Sequence, residues 1–339
     1  MRVNVIAWDN GLGLSRHLRL LAGALRASGH DVTMTGLRRS NWRKLERRIK
    51  LGTRNVWNHA LGDRGWARHD VNLLIEHIRP EFLPTARRNV LLPHPEWFLD
   101  SDRALLPRID AVFAQTQHAV AIFERLGQRV LYTGFTSEDR RDVSVPRERA
   151  FFHLAGRSQN KGSERLLALW CKHPEWPCLT VIQNPKSATP CTPAANIEHH
   201  IDYLDDAALQ RLQNAHWFHL CPSETEGYGH YLVEAMGIGA VVLTTDAAPM
   251  NEFITATRGL RVACTRSGRQ NLATTHYFDD AAMEQTMAQA MALSDADLAI
   301  HSWGGLQNRS GTRMCRRDEH ASAGRDQGGA AWPRPCVCM

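Results

Sequence analysis

The sequence predicts an α/β protein in which two domains, each built on a parallel sheet, face each other across a cleft. Two segments, which start at residues 3 and 151, each read as a strand, a glycine-bearing loop, a helix and another strand. A polar, proline-containing stretch at residues 136–149 lies between them and is predicted to be the linker. The 339 residues are enough for two cores, which we assign to residues 1–140 and 141–303.

The first segment is typical of a Rossmann-like domain. Its apolar strand, residues 3–7, leads into a loop with Gly11 and Gly13, and leucines at helical spacing follow. These glycines form only part of a dinucleotide-binding fingerprint, because Arg16 stands where the third glycine would be. The loop is therefore either a place of close approach to a ligand or a tight turn only.

Short apolar runs and helical patterns alternate through both domains, which is typical of parallel sheets covered by helices. In the first domain this predicts strands at residues 71–75, 90–92, 111–114 and 130–132, and a helix at 117–126. In the second it predicts strands at residues 151–155, 179–182, 217–220 and 240–243, with helices around 166–169, 206–213 and 230–236. Residues 304–339 have much Gly, Arg and Pro and no apolar period, so this tail is predicted to be disordered.

Two glutamates with seven residues between them form the most informative motif. Glu226 opens a glycine-bearing turn, and Glu234 lies on the helix that follows. A helix start has unpaired N–H groups and a partial positive charge, and Gly227 and Gly229 let the backbone approach an anion there. The pattern suits a diphosphate with hydroxyl-rich groups on both sides, such as a nucleotide sugar. The alternative is an ordinary turn before a buried helix.

Residues 221–254 resemble the donor site of glycosyltransferase family 4, through these glutamates, the preceding Pro222-Ser223 and the strand at 240–243. Members of that family are retaining enzymes of the GT-B fold that need no metal. The resemblance implies that Glu234 binds ribose, that Glu226 faces the transferred sugar and that amides around Gly229 hold phosphate. It implies a UDP- or GDP-linked donor, and donor-binding roles for Gly11, Gly13, Gly227, Tyr228, Gly229, His230, Glu234 and Glu252.

The resemblance implies catalytic roles for further side chains. Arg157 and Lys161, in the loop that opens the second domain, match cations that neutralise the departing diphosphate, although their spacing is one residue shorter than in many relatives. His94, held between two prolines, would lie near the reacting face of the donor sugar. A solvated basic loop and a structural histidine are the alternatives. The predicted catalytic residues are Glu226, Arg157, Lys161 and His94.

Residues 37–54 predict a basic amphipathic helix. Eight of them are Lys or Arg and only Glu46 opposes them, while Trp42, Leu45 and Ile49 recur at helical spacing. Such a helix can lie on an anionic membrane surface; a solvated face or a face for an anionic glycan are the alternatives. The predicted membrane or acceptor face comprises Arg38, Arg39, Trp42, Arg43, Lys44, Arg47 and Arg48.

Composition and charge argue against several other classes of protein. Residues 1–140 carry 22 Lys and Arg against 14 Asp and Glu, but no nucleic-acid recognition motif accompanies this excess. The eight cysteines have no paired spacing of a zinc site. The first apolar run is too short for a secretion signal, so we expect a cytoplasmic protein, with peripheral contact to the inner face of the membrane.

The sequence therefore predicts a retaining, metal-independent glycosyltransferase that moves a sugar from a nucleotide sugar to a hydroxyl of a glycan or lipid-linked acceptor. The expected partners are the nucleotide sugar, a glycan or glycolipid acceptor and an anionic membrane surface, with no nucleic acid and no metal cofactor. Three alternatives remain open. One is a GT-B relative that binds a nucleotide sugar or a partner without turnover. The second is a basic nucleic-acid-binding protein, against which the confinement of the excess charge and the lack of a recognition motif argue. The third is a GT-B sugar-nucleotide epimerase or phosphorylase.

Overall fold

The computed structural model describes residues 1–8, 13–37, 67–134, 137–190 and 192–311, apart from the side chains of residues 303 and 305–311. The described residues form two six-stranded sheets and a separate two-stranded sheet. Neighbouring strands within each six-stranded sheet are parallel. The two parallel sheets follow one another along the chain, which confirms the predicted fold class.

The first sheet has the strand order β2-β1-β3-β4-β5-β6. Alternate residues of β1 belong to different core clusters, with Val5 packed on one face of the sheet and Ile6 on the other. Both faces are thus buried, which explains the continuous apolar run at residues 3–7. The strands are β1 (Arg2–Trp8), β2 (Asp31–Leu37), β3 (His69–Ile75), β4 (Ala86–Leu92), β5 (Ala111–Ala114) and β6 (Val130–Tyr132).

The second sheet has the order β12-β11-β10-β7-β8-β9. Its core contains Phe151, Trp170 and Phe218, whose rings are in contact and buried. The short edge strands β9 and β12 were not predicted from the sequence. The strands are β7 (Glu148–Gly156), β8 (Leu179–Gln183), β9 (Ile197–His200), β10 (His216–Cys221), β11 (Val241–Thr245) and β12 (Gly259–Val262).

Side-chain caps fix several helix starts. Thr116, Asp205 and Asp279 each accept the N–H of the residue three positions later, which satisfies a donor that the helix itself leaves unpaired. The helices are α1 (Gly13–Ala27), α2 (Asp100–Arg103), α3 (Gln117–Arg125), α4 (Ser163–Lys172), α5 (Asp206–Ala215), α6 (His230–Gly237), α7 (Met250–Phe253), α8 (Asp280–Ala292) and α9 (Asp295–Gly311).

An antiparallel hairpin of β13 (Cys264–Gln270) and β14 (Ala273–Phe278) extends from the second domain towards the first. At its tip, the backbone N–H of Leu272 donates to the carbonyl of Pro95 over 3.2 Å, and the Leu272 side chain packs against the core of the first domain. The hairpin was not predicted, because the charged and polar residues of β13 show no alternation of apolar side chains.

Helix α9 corrects the predicted start of the tail. Residues 304–311, expected to be disordered, continue a helix that begins at Asp295 and is fixed early by buried Leu298. Gly304 permits the helix to pack closely, because a Cβ atom there would lie 2.2 Å from the carbonyl oxygen of Thr257. Residues 312–339 lie outside the described residues. No helix in the described part of the chain is long and apolar enough to span a membrane.

Candidate functional site

A cavity of about 780 Å³ lies between the two domains. The loops after β3, β4, β7 and β10 line it, so it opens at the carboxyl ends of strands from both sheets, where ligands of open α/β sheets usually bind. The first-domain wall includes His17, Glu76, His94, Glu96 and Trp97, and the second-domain wall includes Arg157, Lys161, Lys186, Glu226, Gly227, Tyr228, Gly229 and His230.

The predicted glycine turn lies at the start of α6 and forms part of the second-domain wall. Gly229 has a φ of +85°, a left-handed conformation that side chains disfavour. A Cβ atom on Gly227 would meet the His94 ring at 2.7 Å and Glu96 Oε1 at 2.9 Å, so only glycine allows the walls to approach here. The turn therefore places the start of α6, where a helix has N–H groups without partners in the helix, at the wall of the cavity.

Glu226 lines the cavity and forms an ion pair with Lys161. The hydroxyl of Ser223 also donates to Glu226 and contacts the hydroxyl of Tyr231. The ammonium group of Lys161 lies 3.7 Å from the centre of the Tyr231 ring, a favourable cation–π contact. The structure thus brings together two of the predicted catalytic residues in one hydrogen-bonded group.

Glu234 is buried in α6 and paired across the domain interface. Its Oε1 lies 2.8 Å from a guanidinium nitrogen of Arg16 in α1, and Gln213 donates to Oε2 over 3.2 Å. Burial raises the pKa of Glu234, and the charge of Arg16 acts against that shift. Arg16 also pairs with Glu138 at 2.6 Å. The residue that interrupts the predicted glycine fingerprint is therefore an interdomain contact.

Arg157 and Lys186 add two further cations to the second-domain wall. Both side chains are exposed, and neither has an ion pair with another described residue. Arg157 is where the sequence predicted a cation, whereas Lys186, in the loop after β8, was missed. The only sequence signal for Lys186 was its position in a loop that follows a strand, which many surface lysines share.

The first-domain wall holds a cluster of imidazoles and carboxylates around His94. Its Nδ1 lies 3.7 Å from Glu76 Oε1, and its ring stacks at 5.9 Å from that of His17. Burial works against protonation of His94, but interactions with Glu76, Glu96 and Glu226 outweigh it and raise its pKa. The desolvation of the buried carboxyl raises the pKa of Glu96 to about 7. Sequence reasoning missed Glu96, Glu76 and His17.

Tyr228 and His230, two of the predicted donor-binding residues, lie on the second-domain wall; Tyr228 is buried and His230 is partly buried. Their rings meet edge to face at 5.0 Å, and His230 meets His17 across the interface at 5.1 Å. Burial, together with the charge of His94, lowers the pKa of His230 to about 3, so its imidazole is neutral at ordinary pH.

The structure does not bring Glu252 to the cavity. Its two carboxylate oxygens accept the backbone N–H groups of Gln117 and His118, each over 2.7 Å, at the start of α3 in the first domain. A carboxylate at a helix N-terminus is favourable there, so Glu252 joins the two domains. Gly13 is the first residue of α1. Gly11 and the predicted membrane face, residues 38–48, lie outside the described residues.

No group of three or more His, Cys, Asp or Glu side chains is arranged to hold a metal ion within the ranges that the structure describes. The histidines of the cavity contact one another and Glu76 in pairs. Arginine and lysine side chains lie at the opposite wall, near the glycine turn.

No known protein family matches the sequence, and no curated protein matches it. Solved structures do match. Sucrose-phosphate synthase from Thermosynechococcus elongatus has a TM-score of 0.65 at 13% identity, covering 91% of this chain and 94% of that chain. A glycosyltransferase from Rickettsia africae has a TM-score of 0.65 at 12% identity, covering 91% and 93%. HepE from Anabaena, in complex with UDP-glucose, has 0.64 at 13%, covering 92% and 95%. At these identities the likeness shows the fold, and the chain has the predicted GT-B architecture.

Proposed function

We propose that this protein is a retaining glycosyltransferase, of the family 4 type, that moves a sugar from a nucleotide sugar to a hydroxyl of a glycan or lipid-linked acceptor without a metal ion. Its main support is the position of Glu226 beside the glycine turn, at an interdomain cavity where Lys161 pairs with Glu226. Glu234 lies further along the chain in helix α6, where it pairs with Arg16 at the domain interface and is not itself a lining residue of the cavity. The complex of HepE with UDP-glucose, on the same fold, makes a UDP-sugar the first donor to test.

Glu234 suits the ribose of the donor. Its carboxylate is buried and already accepts hydrogen bonds from Arg16 and Gln213, so it can accept them equally from two neighbouring hydroxyl groups. A bound ribose would compete with Arg16 for Oε1. Arg16 retains Glu138 as a second carboxylate, so its charge stays compensated when the ribose binds.

The diphosphate would lie at the glycine turn between Glu226 and Glu234. Backbone amides at the start of α6 would bind its oxygens, and Arg157 and Lys161 supply positive charge on the same wall. Breaking the bond between sugar and phosphate places negative charge on the leaving oxygen, which fixed cations stabilise. In this proposal these side chains take the role that a metal ion has in other transferases.

The sugar would lie between Glu226 and His94, which both line the cavity near Gly227, where a Cβ atom would meet the His94 ring at 2.7 Å. Glu226 is held by Lys161 and Ser223, so its orientation is fixed and its remaining lone pairs can accept sugar hydroxyls. Because Glu226 is tied in this way, we assign it to binding of the sugar and propose no covalent intermediate.

The test is calorimetric titration of UDP, GDP and ADP into the wild-type protein and the Glu234→Gln variant. We expect one nucleotide to bind, and the amide to weaken its affinity by about tenfold or more, because it presents one acceptor oxygen and a competing donor to the ribose. Glu138→Gln is the matched control, since Glu138 also pairs with Arg16 but is exposed, whereas Glu234 is buried. Absence of binding to folded wild-type protein would contradict the proposal.

Release of nucleotide from the matching nucleotide sugar then tests turnover, with and without a chelator. Equal rates in both conditions are expected for a metal-independent enzyme. Binding without any turnover, in the presence of saccharide acceptors, would favour the non-catalytic alternative. Loss of activity in the chelator would reject metal independence while leaving the transferase proposal in place.

A further inference from the structure

The turn after β4, Pro95–Trp97, carries two side chains that the proposed donor site does not use. Trp97 lines the cavity with 47% of its surface exposed, which is unusual for the largest apolar side chain. Glu96 precedes it and is only 6% exposed, yet it also lines the cavity. A broad aromatic surface therefore lies next to a buried carboxyl group.

The carboxyl group of Glu96 is incompletely hydrogen-bonded. Its Oε2 is buried and has no hydrogen-bond partner among the described residues. The Nε2 atom of His94 is likewise buried and without a hydrogen-bond partner in the described part of the chain. Buried polar atoms of this kind are uncommon because each loses its water without a replacement, so a polar ligand in the cavity is a natural partner.

The backbone of the turn is held in place from the other domain. The carbonyl oxygen of Glu96 accepts hydrogen bonds from the side chains of Gln270 over 3.1 Å and Asn271 over 2.7 Å, at the tip of the hairpin. The carbonyl of Pro95 accepts the N–H of Leu272. The carbonyl groups are thus satisfied and the turn is fixed, which leaves the side chains of Glu96 and Trp97 as the parts available to a ligand.

We propose that Glu96 and Trp97 form a subsite for a sugar ring of the acceptor. The apolar face of the ring would stack on the Trp97 indole, and a ring hydroxyl would donate to Oε2 of Glu96. This inference rests on the proposed transferase function and narrows its acceptor to a saccharide, bound directly rather than through a lipid portion. Trp97 and Glu96 would then determine acceptor specificity.

The position of the subsite supports this assignment. Glu96 Oε1 lies so close to Gly227 that a Cβ atom there would meet it at 2.9 Å, and Gly227 follows Glu226, the proposed contact of the donor sugar. A saccharide on Trp97 that reaches Glu96 therefore has a hydroxyl beside the donor sugar. Transfer requires that proximity.

Saturation-transfer NMR on the protein saturated with the nucleotide that it binds tests the proposal. The probes are methyl α- and β-glycosides of glucose, galactose, mannose and N-acetylglucosamine. We expect at least one to receive saturation from the wild-type protein, and Trp97→Ala to weaken its affinity by about tenfold or more. Trp97→Phe should retain part of the signal because a smaller aromatic surface remains. Glu96→Gln should weaken binding because one acceptor oxygen is lost.

Leu99→Ala is the matched control, because Leu99 is equally exposed at 47% and close in sequence but does not line the cavity. Nucleotide affinity, measured by calorimetry on each variant, separates this inference from the proposed function. Normal nucleotide binding with no saccharide signal in the wild type would overturn the subsite alone. A signal that survives Trp97→Ala but is lost in Glu226→Ala would also overturn it, since the saccharide would then occupy the donor pocket.

Discussion

The two walls of the cavity differ in charge and in how completely their polar groups are paired. The second-domain wall places exposed or ion-paired cations around the glycine turn. The first-domain wall places carboxyl groups and imidazoles opposite them, and the buried atoms Oε2 of Glu96 and Nε2 of His94 have no hydrogen-bond partner among the described residues. The first arrangement suits an anion and the second suits hydroxyl groups. Under the proposed function, the second domain would then bind mainly the nucleotide and the first domain mainly the saccharides.

The largest effect is expected from removing Lys161, the cation that pairs with Glu226, because this tests whether the second-domain wall stabilises an anion. Lys161→Ala should lower the rate of nucleotide release from the donor by on the order of 10²–10³, because no other described cation pairs with Glu226. The midpoint of thermal unfolding should remain close to that of the wild type, because the change is aimed at the reaction and not at the fold. Lys172→Ala, on an exposed helix surface of the same domain, is the control and should leave the rate unchanged. Equal rates in the two variants would count against a catalytic cation at residue 161.

The buried carboxyl group of the first-domain wall should make the stability of the protein depend on pH. The carboxyl of Glu96 has its pKa raised from 4.5 to about 7 by burial, so the folded state holds this proton more tightly than the unfolded state. Its contribution to stability is therefore fully present below about pH 4.5 and is lost as pH rises through about 7, a change of about 3 kcal/mol.

Glu96→Gln removes this ionisation. We expect the thermal midpoint of the variant to rise relative to wild type between about pH 5 and about pH 8, because only the wild type must bury a charge there. Parallel pH profiles of the two proteins would contradict the raised pKa. Glu81→Gln, in the first domain but outside the cavity wall, provides a control for the loss of one negative charge.

Arg16 links the two walls, and its loss should have a smaller effect. Arg16→Ala leaves buried Glu234 with Gln213 as its remaining hydrogen-bond donor, and should destabilise the fold by about 2 kcal/mol. Arg2→Ala breaks an exposed pair with Asp70 at 3.6 Å and should cost about 1 kcal/mol or less. Thermal denaturation of both variants compares them. Equal shifts would mean that the interdomain pair is no stronger than a surface pair.

The smallest effect per residue concerns the basic segment at residues 37–54. If residues 37–54 contact anionic lipid, replacing Arg38, Arg39 and Arg43 by Gln should weaken co-sedimentation with anionic vesicles by about 1 kcal/mol per residue. Neutral vesicles should not bind either protein. Replacing the exposed Arg87, Arg103 and Arg108 instead is the control. Unchanged sedimentation in the first variant would reject the membrane face.

Much of the second-domain wall could be predicted because its residues are contiguous. Glycines at a helix start, the apolar strand before them and Glu226 all lie within residues 221–254, and each follows a local rule of turn or helix formation. The strand–helix alternation likewise predicted both parallel sheets. These features depend on sequence neighbours rather than on how the domains meet.

The first-domain wall could not be predicted in the same way. Glu96 is buried because the hairpin of the other domain covers its turn, and nothing around residue 96 shows that. Glu252 was predicted to bind the donor, but its carboxylate contacts the start of α3 in the first domain. That contact also depends on how the two domains meet. In the sequence, Arg16 was noted only because it occupies the position of the third glycine in the dinucleotide-binding fingerprint. Contacts between distant segments carry no periodic signal in the chain.

The hairpin tip, the Glu252 carboxylate and Arg16 join the two domains at three separate points. If the proposed function holds, a bound nucleotide would leave when these contacts separate, and the contacts would form again when the domains close. Departure of the spent nucleotide, rather than bond cleavage, would then be the slow step of each cycle. Such an enzyme would form its first equivalent of product quickly, while the nucleotide is still bound, and would then turn over at a slower steady rate.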